Sequence, residues 1–172
     1  KRLSSVLMII IMMTFVSASF AADIVVTDES INAGETVTWT RNNTYILDGF
    51  VFVEEGAVLN IEAGTVIKGK PGAAENASAL IIARGGKIYA EGTANDPIIF
   101  TAEADDVNDP NDIPFGTSGL WGGVIVLGYA GINTSTGEGQ IEGIPSDEPR
   151  GAYGGDDDMD DSGVIRYVSI RH

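Results

Sequence analysis

Short apolar runs, each closed by a polar or glycine-containing corner, recur along most of the chain. The clearest stretch is Ala79 to Thr101, ALIIARGGKIYAEGTANDPIIFT, with β-prone runs at Ala79–Ala83, Lys87–Ala90 and Pro97–Thr101. Gly85-Gly86 and the segment Gly92 to Asp96 separate them. Ile, Tyr and Phe suit a pleated, half-buried surface, whereas Gly, Asn, Asp and Pro punctuate turns. Three strands with their corners amount to one turn of a coil that stacks on its neighbours. Upstream, Thr36–Thr40 alternates, with Val37 and Trp39 on one face and threonines on the other. Tyr45–Leu47, Phe50–Val53, Ala57–Ile61 and Thr65–Lys68 continue the series, with corners at Asp48-Gly49, Glu54-Glu55-Gly56 and Glu62-Ala63-Gly64. No segment beyond the first 21 residues carries a helical apolar period.

The coil repeats. Val51–Leu59 laid over Ile81–Tyr89 matches apolar positions at an offset of 30, and Glu62–Thr65 resembles Ala90–Thr93 at an offset of 28. The insertion Lys70–Ser78 lies inside that period, so the bare coil is nearer to about 20 residues. Later strands, Val124–Leu127, Val164–Tyr167 and Val168–Ile170, are spaced by two polar segments, Glu103–Ser118 and Gly131–Ser162. Segments of that length are more often functional than merely connecting. The primed two-residue turns of antiparallel hairpins are scarce, which argues against a sandwich or jelly roll. Continuous runs such as Ile81-Ile82 suit parallel strands. The prediction is an all-β chain: a right-handed parallel β-helix over residues 22–172 with long acidic loop insertions. Ile81, Ile82, Ile88, Ile98 and Phe100 are expected to build the coil interior. The final strand, Ser169 to His172, has no turn after it, so the domain is expected to be truncated at its C-terminus.

Residues 1–21 change the picture in one respect. Lys1-Arg2, the apolar run Val6–Val16 and the small-x-small pattern Ser19-Phe20-Ala21 predict a signal peptide cleaved after Ala21. The apolar run is well short of the roughly 20 residues that span a bilayer, so no membrane insertion of the mature chain is expected. The predicted location is secreted or cell-surface. The whole chain has a formal charge of −15, and without Lys1 and Arg2 only 8 basic residues face 25 acidic ones. That balance disfavours nucleic acid and anionic lipid, both of which are bound through Lys and Arg. With no cysteine, disulfides, thiolate metal sites and an N-terminal lipid anchor are excluded.

The pieces Gly64–Gly69, Ala79–Ile88, Gly92–Thr101, Leu120–Gly123 and Gly163–His172 together resemble secreted bacterial parallel β-helix repeat proteins of the cell surface. The resemblance covers most of Tyr45 to His172. It implies an exported surface protein with a β-helix scaffold. Related β-helices include pectate-lyase-like and other polysaccharide-active enzymes, but no lyase motif is present to carry over.

Candidate chemistry therefore falls to the insertions. Gly154–Ser162 holds five aspartates in six residues, and Asp156, Asp158, Asp160 and Asp161 form a candidate calcium site, since carboxylates on a flexible loop supply the oxygens calcium prefers. An EF-hand is rejected, because Asp161 stands where the turn glycine belongs and no glutamate follows at the twelfth position. A solvated acidic loop is the competing reading. Asp105–Asp112 is a second oxygen-rich loop that could face the first, or serve only as turn chemistry. Arg150 and Tyr153, beside the acidic run, are the candidate ligand-binding residues, with a polysaccharide or cell-surface partner in view. Arg84, Arg166 and Arg171 read as surface or ladder arginines, and Trp39 and Trp121 as core or cap. No catalytic residue is assigned: the single histidine is His172, and no nucleophile elbow, phosphate loop or paired-histidine motif occurs. The expected function is a non-enzymatic scaffold for adhesion or ligand binding. The alternative is the N-terminal part of a polysaccharide-active enzyme.

Overall fold

A computed structural model describes residues 22–172. The predicted signal peptide lies outside the described residues. Strands β1 (Ala22–Val26), β2 (Thr36–Trp39), β3 (Asn43–Leu47), β4 (Phe50–Val53), β5 (Val58–Ile61), β6 (Val66–Gly69) and β7 (Ala79–Ile82) follow in order. They continue with β8 (Lys87–Glu91), β9 (Ile98–Ala102), β10 (Gly123–Val126), β11 (Glu138–Gln140), β12 (Ala152–Gly154), β13 (Gly163–Arg166) and β14 (Val168–Ile170). The described residues contain no α-helix, only three single-turn 3-10 segments, and no helix long and apolar enough to cross a membrane.

Twelve strands fall into three parallel sheets, ordered β1-β3-β6-β9-β14, β2-β5-β8-β13 and β4-β7-β10. From β2 onward these strands visit the three sheets in rotation, so the chain winds as a parallel β-helix. β1 sits 21 residues before β3, and from β2 and β3 the first step is 22 residues, with Thr36 beside Val58 and Thr44 beside Val66. The second is 29, with Val51 beside Leu80 and Leu59 beside Ile88. The insertion between β6 and β7 supplies the difference. Along β4 and β5 the register of 29 corrects the offset of 30 taken from the sequence, and the corner Glu62–Thr65, matched there at 28, lies between steps of 29 and 33. Side chains alternate along a strand, so a slip of one residue exchanges the inner and outer faces. Apolar runs such as Ile81-Ile82 look alike in either register and hide the slip. The corner glycines do not: Gly34, Gly56 and Gly85 all have φ near +75° and stack through backbone bonds, Gly56 N–H donating to Gly85 carbonyl at 2.9 Å. Only glycine takes that conformation without cost.

The coil interior is filled by Val51, Val53, Leu59, Ile67, Leu80, Ile82, Ile88, Ile98 and Phe100. Each such side chain stabilises the fold by about 1.5–3 kcal/mol on burial. At the N-terminal end, Ile31 and Trp39 are buried, and Trp39 stacks on Tyr45 with ring centroids 4.8 Å apart. The Tyr45 hydroxyl accepts from the Thr40 amide. Trp121 is buried and donates its indole N–H to the Arg171 carbonyl. Ile81 departs from expectation. It is fully buried, but in a second cluster with Phe52, Ala79, Ala83, Leu127 and Ile144, on the opposite face of the β4-β7-β10 sheet from Leu80 and Ile82.

The element that covers this outer face is the segment 127–162. It contains the antiparallel pair β11–β12, with Gly139 opposite Tyr153, and a 3-10 turn at Pro149–Gly151. Read from the sequence, Gly131–Ser162 is a long acidic loop. In the structure it is a folded strap whose Ile141, Ile144 and Tyr153 pack onto the sheet. Sparse apolar residues suffice, because Phe52 and Ile81 supply the other half of the contact.

Candidate functional site

Arg150 is the hub between strap and coil. It follows Pro149, whose fixed φ suits the first position of the 3-10 turn, and Glu148 caps that turn by accepting from the Arg150 amide. The guanidinium donates to both carboxylate oxygens of Asp28 at 2.9 Å, to both of Glu148 at 2.8 Å, and to Glu54 at 2.9 Å. Its carbon sits 4.0 Å from the centroid of the Phe52 ring. Planar, bidentate donation and stacking are properties of arginine that lysine lacks. Hydrogen bonding to Glu148 and Asp28 keeps Arg150 charged far beyond its ordinary range, and the Arg150 fork holds the Glu148 carboxyl below its usual value.

Beside this hub lies a cleft of about 530 Å³. One wall is Thr27, Asp28 and Glu29. The base is Asp48, Gly49, Phe50 and Phe52, with the half-buried Phe50 edge-on to Phe52 at 6.5 Å. Pro145, Glu148 and Arg150 line the cleft from the strap, and Glu75 of the 70–78 insertion lines it as well. Asp28 and Glu148 are occupied by Arg150, and Asp48 by Lys70 at 2.7 Å. Glu29 and Glu75 add exposed carboxylates.

Arg84 ties the strap down at a second point. It donates to Glu138 at 2.6 Å and to the Gly154 carbonyl at 2.9 Å, and lies 5.0 Å from the Tyr129 ring centroid. Tyr153, the other candidate ligand residue, does not line the cleft. It is partly buried on the strap's inner side with Gly139 against its ring, and borders an apolar hollow of about 270 Å³ with Ile125, Leu127 and Ile141.

The aspartate run is spread along the strap's return. Asp160 accepts from the Tyr129 amide at 2.8 Å and Asp158 from the Gly131 amide at 3.0 Å. Asp161 accepts from the Gly163 amide and from Lys87, and these contacts lower its pKa. Asp156 is exposed. Among the described residues, no group of three or more acidic or histidine side chains converges as metal ligands would. The second acidic loop does not face the first. Asp105 is buried against the β6-β9-β14 sheet, where it accepts from the Thr101 hydroxyl at 2.6 Å and lies 3.6 Å from Arg171. The Asp156–Asp161 run instead meets Lys87 of β8, on another sheet.

A family model described as a pectate-lyase-like β-helix domain matches residues 30–172. The chain belongs to this family. No curated protein and no solved structure matches it. Family membership agrees with the parallel coils.

Sequence reasoning singled out Arg150 but missed its partners Asp28, Glu54 and Phe52, which are 122, 96 and 98 residues away in the chain. One signal was available. Phe50-Val51-Phe52-Val53 is apolar in both phases, which a strand with one solvated face has no reason to be.

Proposed function

We propose that this β-helix is an exported, non-enzymatic surface scaffold that binds glycan in the cleft between strap and N-terminal coil. The observation that carries the reading is the cleft itself: an aromatic base at Phe50 rimmed by carboxylates. Carboxylates accept hydrogen bonds from sugar hydroxyls, and an aromatic edge supplies the apolar contact. The same carboxylates repel uronates, since Arg150 is already shared among three acids and leaves no free cation among the described residues that line the cleft. A neutral or amine-bearing sugar fits; an acidic one does not. Export is supported by the leader pattern of residues 1–21. Calorimetric titration with chitosan, glucan and galacturonan oligosaccharides tests the reading. Binding of the first or second, lost in Phe50→Ala, is the expected result. No binding of any of the three overturns it.

The family description favours a second reading, cleavage of polysaccharide. Growth of unsaturated-uronate absorbance on incubation with galacturonan would support that reading and remove the scaffold.

A further inference from the structure

The strap is joined to the coils in an unusual way. Among the described residues, no backbone-to-backbone hydrogen bond links residues 128–161 to the coil strands. The strap's backbone bonds are internal: Ile141 N–H to Gly151 carbonyl, Gly154 N–H to Gly128 carbonyl, and Asp157 N–H to Tyr129 carbonyl. Ladder bonds resume only at its ends, where Leu127 N–H donates to Ile82 carbonyl and Ser162 carbonyl accepts from Ile88 N–H. Between those ends, attachment rests on one apolar patch and on the side chains of Arg84, Lys87 and Arg150. A segment that keeps its own hydrogen bonds when it lifts can open at far lower free energy than the coils unfold.

We infer that the strap is a lid, latched by Arg150 to Asp28 and Glu54, and that closing it completes the cleft. The strap contributes Pro145, Glu148 and Arg150 to one wall, and the coil contributes Asp28 and Phe50 to the others. Lifting the strap therefore removes a wall of the cleft and uncovers Phe52 and Ile81 together. A ligand that touches both walls binds only the closed form and shifts the population toward it. The latch stands on the structure of the free protein; only the ligand-driven shift rests on the glycan reading.

The chain has no cysteine, so a thiol introduced at one site reports that site alone. Ala83→Cys places it on the buried outer face beneath the strap, and Ala90→Cys places a control inside the coil. Labelling rate with a maleimide follows the open population. Adding Arg150→Ala is expected to speed labelling at position 83 by roughly tenfold or more, the loss expected for a multiply bonded charged group, with position 90 unchanged. Arg150→Lys, which keeps charge but not the fork, gives an intermediate rate. An unchanged rate at position 83, or equal acceleration at both positions, overturns the lid. Chitosan oligosaccharide slows labelling at position 83 if closing and binding are linked. Equal affinity for the native chain and Arg150→Ala overturns that linkage. Absence of binding to either removes the glycan reading, while labelling of the free protein still decides the latch.

Discussion

At β7 the two faces of the β4-β7-β10 sheet are both buried, yet they are held in different ways. The inner face, with Val51, Val53, Leu80 and Ile82, is sealed by the other two sheets of the coil. Its neighbours are fixed by continuous backbone ladders above and below. The outer face, with Phe52, Ala79 and Ile81, is sealed by a strap that shares no backbone ladder with it along residues 128–161. Burial alone does not show how firmly a surface is held. What differs is whether uncovering it requires breaking the cooperative unit.

Adjacent residues on β7 give the largest test. Leu80→Ala opens a cavity inside the coil and is expected to destabilise the whole domain by about 3–5 kcal/mol, read as a lower midpoint in denaturant. Ile81→Ala removes similar volume from the outer face. There the strap can settle, so the expected loss is about 2 kcal/mol, with faster thiol labelling at position 83. Equal global losses from both would erase the distinction between the faces. A smaller effect is expected at the strap's return. Asp160→Ala leaves the Tyr129 amide without its acceptor and is expected to cost about 1 kcal/mol, alike in calcium and in chelator. A loss seen only with calcium present would point to metal at the aspartate run instead.

The mildest test is acid. The Glu148 carboxyl lies below its ordinary value of 4.5 because Arg150 bonds its charged form. Its contribution is complete above the unfolded value and is lost as pH falls through the lowered folded one. The side chains that fill the coil interior, Val51, Leu59, Ile67, Leu80 and Phe100 among them, are apolar and do not titrate there. The strap should therefore loosen on the acid side while the coils hold, seen as faster labelling at position 83 but not at position 90. Coincident loosening at both positions would mean that latch and coil are one unit.

The coils were readable because their signals are local. Ala79–Ala83, Lys87–Ala90 and Pro97–Thr101 lie within a residue of β7, β8 and β9, and Ile82, Ile88, Ile98 and Phe100 do fill the interior. Register was not readable from the apolar runs, which fit either phase equally well, and only the corner glycines Gly34, Gly56 and Gly85 carry it. The strap was less readable still. Its Gly-, Pro- and Asp-rich composition resembles a solvated loop, and Arg150 beside it shows nothing of Asp28 or Glu54. Those partners meet only when the chain has wound through three coils.

The sequence by itself determined the parallel β-helix, because glycine corners and short apolar strands constrain neighbouring backbone directly. Only the tertiary structure decided what Gly131–Ser162 is. Its folding depends on an apolar face that the coils must first build, and on arginine contacts that span most of the chain. The cleft belongs to that second category, since it is lined by the strap and the N-terminal coil together.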